Sequence, residues 1–377
     1  VTGLEQRGHV MPMLLRIENL LDSRIALLNE TFRAAIAEAG YRGEYRGVFP
    51  VKVNQQCQVI EEITRFGAPY AHGLEAGSKA ELVLALANLR DGGLLVLNGY
   101  KDRDFIETVL YANKIGYDIT IVVEKLFELE KIISLSKEIG IVPKLGIRVK
   151  LSSKGTGKWA TSGGDDAKFG LKISELLAAI DLLKQNKLLD RVKLLHFHIG
   201  SQITKIDRIK SALKEGSRIY AEMRKMGVNL EYLDVGGGLG VDYDGSKSSY
   251  FSSVNYSIDE YANDVIYQVK TVCDEAGVPC PNIISESGRA TVAHYSVLVT
   301  NILNTNTQNS LPDYDEVLEQ ADKLSPTVER LYDIYKSLDR HSLREDYHDT
   351  LQLIQEAVSL FNLGYLTLHD RSLAEWL

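Results

Sequence analysis

The feature that most constrains the fold is a repeated alternation between short apolar runs and longer amphipathic stretches over residues 47–285. Eight runs have the length and composition of buried strands: GVFPVKV, AHGLEA, LLVL, ITIVV, KLGIRVK, VKLLHFHI, EYLDV and NIISE. They begin about 20 to 50 residues apart, as strand-plus-helix units do in parallel sheets. Eight such units predict an α/β fold in which the sheet closes into a TIM-like (β/α)8 barrel rather than an open doubly wound sheet.

The segments on either side of the predicted barrel have a different pattern. Residues 14–39 are predicted to form a helix before the first barrel strand, and HYSVLVTNIL is predicted to form one further strand after the eighth. Residues 311–377 are polar and amphipathic, with one helix predicted to start at Ser325-Pro326 and another over residues 347–361. Within the barrel, Ser78 and Glu81 have the spacing of a capping box, so a helix should begin as soon as the second strand ends.

Charge and cysteine content exclude several classes of function. The formal charge is −8, from 43 basic and 51 acidic side chains without a basic block, so nucleic acid is not an expected partner. Cys57, Cys273 and Cys280 have no metal-binding or redox spacing, which favours a reducing compartment and predicts a cytoplasmic location. No apolar run approaches the roughly 20 residues that span a bilayer, and the first residues lack the layout of a signal peptide.

Lys52, in FPVKVNQQ, is the most unusual residue of the first predicted strand. In a parallel barrel the functional site lies at the C-terminal ends of the strands, which is where this lysine falls. One interpretation is that its ammonium group reaches solvent at the mouth of the barrel. The other is that partial burial lowers the pKa of the amine, which then forms a Schiff base with an aldehyde.

The sixth predicted strand ends in HFHIGSQ, with two histidines two residues apart. His196 and His198 should therefore face the same side of the strand, and a tight turn at Gly200 and Ser201 follows. A His-x-His pair at this position is compatible with a metal site, although a catalytic site usually has a third protein ligand, and none is obvious here. A histidine at such a position is otherwise more often a packed core residue.

The last two predicted strands end in a glycine-rich segment and in an acid–arginine pair. Gly236, Gly237 and Gly238 allow backbone N–H groups to approach an anion closely, although the dinucleotide fingerprint G-x-G-x-x-G is not satisfied. In SESGRA, Glu286 and Arg289 either form a local ion pair of little consequence or point separately into the site. In the second case the guanidinium would bind a phosphate.

Together these residues place an amine, an aromatic base, an anion cradle, a carboxylate and an arginine around one barrel mouth. Pyridoxal 5′-phosphate requires this set of groups. A lysine binds its aldehyde, a carboxylate keeps its ring nitrogen protonated, and glycine amides with an arginine bind its phosphate.

The motifs YRGVFPVKVNQQ, GLEAGSKAEL, HFHIGSQ, LDVGGGLGVDYDGS and SESGRA occur in the order seen in a known family. The chain resembles the alanine racemase-like, barrel-type pyridoxal-phosphate decarboxylases over residues 8–301 and, within them, the arginine decarboxylases. The resemblance implies that Lys52 binds the cofactor covalently, that His198 stacks on its ring and that Glu286 pairs with its ring nitrogen. The remaining cofactor-binding residues that it implies are Glu75, Arg148, Ser201, Gly236, Gly237, Gly238 and Arg289.

The same resemblance implies a substrate-binding segment and an activity. The segment comprises Leu233, Asp234, Val235, Gly236, Gly237, Gly238, Leu239, Gly240, Val241, Asp242 and Tyr243. The implied reaction converts L-arginine to agmatine and CO₂, at the start of a route to putrescine and spermidine, with a magnesium requirement for which no ligand set is evident. Ornithine, lysine or diaminopimelate remain alternative substrates.

The resemblance also predicts the domain organisation. Residues 1–290 would form the cofactor-binding barrel, residues 291–312 the start of a C-terminal β-domain, and residues 313–377 part of a helical insertion. In that family a loop from the β-domain reaches the site of a neighbouring subunit, which predicts a homo-oligomer of at least two subunits for the intact protein. Without that loop, a chain that binds the cofactor and turns over little is a second hypothesis. A metal-dependent hydrolase using His196 and His198 is a third.

Overall fold

The computed structural model describes residues 1–152, 168–305, 324–339 and 343–377. These residues divide into two compact units, Val1–Thr300 and Asn301–Leu377. Among the described helices, none combines the length and apolar character needed to span a bilayer.

The first unit is built around a closed barrel of eight parallel strands, as the sequence predicts. Strands β2 to β9 follow one another around the barrel in chain order, and β9 pairs with β2 to close it. The separate β1 and β10 pair antiparallel. The strand bounds are β1 Met13–Arg16, β2 Tyr45–Pro50, β3 Gly73–Ala76, β4 Leu95–Leu97, β5 Ile119–Val123, β6 Lys144–Arg148, β7 Val192–His196, β8 Tyr232–Asp234, β9 Asn282–Ser285 and β10 Ser296–Val299.

Helices surround the barrel and connect successive strands. Their bounds are α1 Thr2–Glu5, α2 Asn19–Ala39, α3 Cys57–Gly67, α4 Lys79–Asn88, α5 Arg103–Lys114, α6 Leu126–Ile139, α7 Ile173–Gln185, α8 Ile206–Lys225, α9 Ile258–Ala276 and α10 Gly288–Val292. Ser78 caps α4, as predicted, by accepting from the Glu81 amide. The Glu81 carboxylate accepts from the Gly77 amide instead of closing a capping box on Ser78.

The described residues of the first unit contain two apolar cores. A small inner core brings together side chains from five strands of the barrel and the residue before β4: Val48, Leu94, Val96, Val122, Leu194 and Ile284. A much larger core contains apolar residues of these strands and of the helices around them. Because the inner core is closed by apolar side chains, the polar residues at the C-terminal ends of the strands stand on a rigid floor.

The prediction of a helix over residues 14–39 is wrong at its start. Residues 13–16 form β1, which pairs with β10, and the helix begins only at Asn19. A run as short as MLLR cannot be assigned to a strand or a helix from its periodicity. The strand partner that decides the matter is nearly 300 residues away in the sequence. The predicted further strand in HYSVLVTNIL is confirmed as β10.

In the second unit the described residues form three helices, α11 Pro326–Ser337, α12 Leu343–Asn362 and α13 Leu368–Trp376. Pro326 is the first residue of α11, as the Ser-Pro pair predicts, and α12 contains the predicted helix over residues 347–361. The helices share a small apolar core that includes Val328, Leu353 and Leu373. Residues 311–323 of the predicted helical stretch lie outside the described residues.

Gly99, just after β4, offers a test of how tightly the loops at the C-terminal ends of the strands pack. Its φ is +75°, and a Cβ at this position would lie 2.1 Å from the Gly77 carbonyl oxygen. Gly92 has a similar φ of +79° with nothing within 4 Å of the same atom. Gly92→Ala should therefore cost only the backbone strain of about 1–2 kcal/mol, whereas Gly99→Ala should cost roughly 1–3 kcal/mol more from overpacking.

Chemical denaturation of the two variants measures this difference, because the matched φ makes Gly92→Ala the control for backbone strain. Equal losses of unfolding free energy would show that the loops after β3 and β4 can separate without cost.

Candidate active site

Lys52 lies beyond the end of its strand rather than within it. Strand β2 ends at Pro50, and Val51–Val53 form a single 3-10 turn that carries the lysine. The predicted strand GVFPVKV is therefore too long. Lys52 is more exposed than a strand residue between two valines would be, since its side chain is 56% accessible. The turn directs Nζ towards β3, where it lies 3.1 Å from Glu75 Oε2.

The charge environment of Lys52 is opposite to the one predicted. Partial burial acts to lower the pKa of the amine, but the negative charges of Glu75 and Glu286 and the hydrogen bond to Glu75 outweigh it. The pKa of Lys52 is therefore raised above its usual value in the chain without cofactor. The prediction of a pKa lowered by burial is wrong, because the sequence did not show that two carboxylates face this amine.

Asn98 links the two carboxylates and was not predicted. Its Nδ2 donates to Glu75 Oε1 at 3.2 Å and to Glu286 Oε1 at 2.8 Å, while its own Oδ1 is buried without a partner. Burial and the nearby Glu286 raise the pKa of Glu75 to about 6. Burial and Asp234 raise the pKa of Glu286. Asn98 thus holds both carboxylates in place, and a nearby positive charge would favour the ionised form of each.

His198 lies two residues past the end of β7 and is oriented by the glycine-rich segment. Its Nδ1 accepts from the Gly237 amide at 3.1 Å. Burial, Arg148 and His196 lower the pKa of His198 well below its usual value, so the ring is neutral. The prediction that His196 and His198 lie on one strand is wrong, since β7 ends at His196.

Only part of the predicted glycine cradle is available to an anion. The Gly236 amide donates to Asp234 Oδ1 at 2.8 Å, and the Gly237 amide is bound to His198. The Gly238 amide has no acceptor among the described residues, and Gly238 lines the cavity. Gly236, with φ +70°, packs so closely that a Cβ would lie 2.3 Å from the Phe197 carbonyl oxygen.

Arg289 lies in α10 and is directed towards this segment rather than to Glu286. Its guanidinium donates to Ser201 Oγ at 3.0 Å and to Tyr243 Oη at 2.9 Å, while its buried Nε has no partner. The alternative in which Glu286 and Arg289 form a local ion pair is therefore wrong for these described residues. Ser201, Gly238 and Arg289 form a donor-rich pocket suited to a phosphate.

Two adjoining cavities share Lys52, His198 and Glu286. One, of about 410 Å³, extends to Ser201, Gly238 and Arg289. The other, of about 380 Å³, extends to Asn98, Arg148, Lys168, Phe169 and His196. The amine, the aromatic ring and the carboxylate therefore stand between an anion-binding end and a second compartment.

Arg148, at the end of β6, lines the second compartment. Its Nη1 lies 2.6 Å from Glu124 Oε1, and its guanidinium stands 5.7 Å from the Phe169 ring centre. It is thus positioned by a buried partner, as a supporting residue should be. Its predicted role, like that of Glu75, stays a prediction.

Several hydrogen bonds fix the position of the predicted substrate-binding segment. Leu233 and Asp234 belong to β8, and Gln202 holds the segment further on, with Oε1 accepting from the Val241 amide and Nε2 donating to the Val241 carbonyl. Asp242 accepts from Ser253 Oγ at 2.6 Å. The role of this segment in substrate binding stays a prediction.

Of the two residues that the sequence analysis missed, one could have been found. Asn98 directly follows the run LLVL, so the rule that functional residues lie at the C-terminal ends of barrel strands would have found it. Gln202 ends the motif HFHIGSQ, but nothing in the sequence shows that its amide pairs with a backbone 39 residues away.

A comparison with known families identifies two matches. The family described as "Pyridoxal-dependent decarboxylase, pyridoxal binding domain" matches residues 26–293. The chain belongs to this family. The pyridoxal-dependent decarboxylase match therefore includes β2 to β9 and the site at their C-terminal ends, and the predicted barrel-type fold is confirmed. The family described as "Arginine decarboxylase helical bundle domain" matches residues 321–377.

Individual pyridoxal-dependent decarboxylases resemble the chain over its whole length. It is 72% identical to the biosynthetic arginine decarboxylase of Pelobacter propionicus and 71% identical to that of Citrifermentans bemidjiense, covering 100% of this chain and 60% of each relative. The crystal structure of the biosynthetic arginine decarboxylase of Campylobacter jejuni is 38% identical, with a TM-score of 0.72, over 99% of this chain and 61% of that one. The chain thus spans about 60% of the length of the curated relatives it matches.

Proposed function

We propose that the chain is the cofactor-binding part of a decarboxylase that converts L-arginine to agmatine and CO₂ with pyridoxal 5′-phosphate. The observation that carries the proposal is the position of Lys52 and Glu286 beside His198, with Ser201 and Arg289 at the other end of one cavity. The buried, unpartnered Arg289 Nε and the unpartnered Gly238 amide fit a bound phosphate. Supplying such an anion would satisfy donors that the protein leaves open.

Each residue has a distinct task in this proposal. Lys52 would hold the cofactor aldehyde, and His198, fixed by the Gly237 amide, would set the plane of the ring. Glu286, held by Asn98, would keep a proton on the ring nitrogen. When bound, the cofactor supplies an electron sink for the bond broken at the substrate Cα. The neutral imidazole of His198 would cover one face of the ring.

Arginine as substrate rests on the relatives rather than on the site. Relatives named biosynthetic arginine decarboxylase match the whole chain at about 70% identity, and a helical-bundle family named for arginine decarboxylase matches its last residues. The product agmatine would enter a route to polyamines such as putrescine and spermidine. A cytoplasmic location fits both this role and the three free cysteines.

The decisive experiment is a titration of the chain with pyridoxal phosphate, followed by borohydride reduction and peptide mapping. Covalent label on the peptide that carries Lys52 is expected. CO₂ release should then be compared among arginine, ornithine, lysine and diaminopimelate. Label on another lysine, or none, would refute the cofactor assignment, and release from one of the other three amino acids alone would refute arginine.

A second candidate is binding of the cofactor without turnover. We propose that the intact protein is a homo-oligomer in which a neighbouring subunit completes the site. Specific labelling of Lys52 without CO₂ release would assign the chain alone to this second function.

The metal-hydrolase alternative has less support. Among the described residues, His196, Asp234 and Glu286 have ligand atoms within 4.8 Å of one another, and His198 is not part of that set. A hydrolytic role for the two histidines would leave Lys52 and the phosphate-binding end unexplained. The magnesium requirement stays a prediction, and metal analysis with activity measured in added Mg²⁺ and in chelator tests it.

Arg289→Ala should weaken cofactor binding about 10- to 100-fold, because a hydrogen bond to a charged group contributes roughly 1.5–3 kcal/mol. Arg289→Lys should recover part of the loss, since it keeps the charge without the two-pronged geometry. Equilibrium titration of pyridoxal phosphate by absorbance measures both. Arg218→Ala, which removes an exposed ion pair between α8 and α9, is the control. An unchanged Kd for Arg289→Ala would contradict the assignment of the phosphate end.

A further inference from the structure

His196 is buried beneath the site, and the proposed function gives it no task. Its Nδ1 lies 3.0 Å from Asp234 Oδ2 and 4.0 Å from Glu286 Oε1. Neither His196 Nδ1 nor Asp234 Oδ2 has a hydrogen-bond partner among the described residues. The three side chains come from the neighbouring strands β7 and β8 and from the residue that follows β9, and all three are buried.

The cluster of His196, Asp234 and Glu286 would carry excess negative charge if both carboxylates were ionised. The cations facing it are already engaged, because Lys52 pairs with Glu75 and Arg148 pairs with Glu124. Asp234 accepts from the Gly236 amide at Oδ1, and its carboxyl group also faces that of Glu286. Two buried carboxylates that lie close together cannot both readily give up their protons, so one proton is retained between them.

The location of that proton follows from the surroundings of each group. Burial raises the pKa of Asp234 to about 7. Burial also lowers the pKa of His196 to about 4, with a further lowering by Arg148. The negative charges of Glu286, Glu124 and Glu75 offset this only in part. The usual order of an aspartate and a histidine is thus reversed. At 3.0 Å from His196 Nδ1, a protonated Asp234 carboxyl group is within reach to donate to the imidazole.

We propose that His196 is a positioning residue whose Nδ1 accepts the proton retained by Asp234, so that this pair is neutral and Glu286 is the ionised carboxylate presented to the cofactor. The inference rests on the proposed cofactor site. Without an acceptor at Nδ1, the Asp234 proton has Glu286 as its nearest alternative acceptor. Glu286 would then share that proton and bind a protonated ring nitrogen less well.

The matched variants are His196→Leu and His196→Asn. Leucine removes the acceptor, whereas the asparagine side-chain oxygen lies close to the position of Nδ1 and can still accept. We expect His196→Leu to raise the Kd for pyridoxal phosphate about tenfold, the scale of one hydrogen bond to a charged group. His196→Asn should stay within about threefold of the parent chain, because it restores that bond.

The chain without cofactor provides an independent measurement. With ¹⁵N-labelled histidine, the ring signals of His196 are those lost in His196→Asn. They should report the tautomer with the proton on Nε2 and an accepted hydrogen bond at Nδ1. A proton on Nδ1, or a charged imidazolium, at pH 6 would overturn the proposal even if His196→Leu does not fold.

The binding results separate this inference from the proposed function. If His196→Leu binds as tightly as the parent, or if His196→Asn is as weak as His196→Leu, the positioning role is wrong while the cofactor site stands. If the parent chain binds no pyridoxal phosphate, the proposed function fails, and the tautomer alone decides the state of the pair. An increase in the thermal midpoint of the parent chain with MgCl₂ that is lost in His196→Asn would assign the cluster to a cation and overturn the proposal.

Discussion

Lys52→Ala is expected to abolish covalent attachment of pyridoxal phosphate and to reduce CO₂ release by roughly 10³-fold or more, the scale on which loss of an active-site nucleophile reduces turnover. The reason is geometric. The 3-10 turn of Val51–Val53 places Nζ beside Glu75 and within the cavity that contains His198 and Glu286. The described lysine Lys168 lines the second compartment but not the phosphate-binding cavity.

The measurement is borohydride trapping with mass spectrometry, together with CO₂ release in the full-length protein that carries this segment. Lys184→Ala, an exposed lysine in α7 on the outside of the barrel, is the matched control and should be labelled and active as the parent is. Retention of label and activity in Lys52→Ala would remove the basis of the proposed function.

Glu286→Gln is expected to lower CO₂ release by roughly 10²-fold or more, the size of a single electrostatic contribution at an active site. Glutamine keeps the shape of the side chain, and its carbonyl oxygen can still accept from Asn98 Nδ2, as Glu286 Oε1 does at 2.8 Å. Only the negative charge is lost. Without it the ring nitrogen is not held protonated, and the electron sink is shallower.

Steady-state rates and the cofactor Kd should be measured on the same preparation. A fall in turnover much larger than the fall in cofactor affinity is the expected pattern, because the phosphate end is untouched. Glu222→Gln, on the exposed face of α8, is the control. Turnover within about threefold of the parent for Glu286→Gln would show that the ring nitrogen needs no carboxylate here, since electrostatic contributions at active sites are typically larger.

The barrel was predictable because its evidence is local and repeated. Each strand is a short apolar run followed by a helical pattern, and some helices have their own start signal, such as Ser78 before α4. Eight repeats of one strand-plus-helix pattern favour a sheet that closes into a barrel. The error at residues 13–16 has the opposite cause, since β1 exists only through its pairing with β10. Propensity within four residues carries no information about a partner so distant.

The site was predictable as a set of residues but not as a network. Strand ends revealed Lys52, His198 and Glu286, because topology alone brings those ends together. Their partners depend on side-chain directions within a few ångströms. The sequence therefore gave no sign that Asn98 joins two carboxylates or that the amine faces both of them. For that reason the direction of the Lys52 pKa shift could not be obtained from the sequence.

The hydrogen bond from the Gly237 amide to His198 Nδ1 has a consequence for the choice among vitamin B6 compounds. Because of this bond, the His198 ring and the glycine-rich segment are held at a fixed distance from each other. An analogue whose phosphate arm is one methylene longer could not stack on the His198 ring and place its phosphate at Gly238 at the same time. We therefore expect this pocket to reject such homologues by length, before any contact with the amino-acid substrate is made.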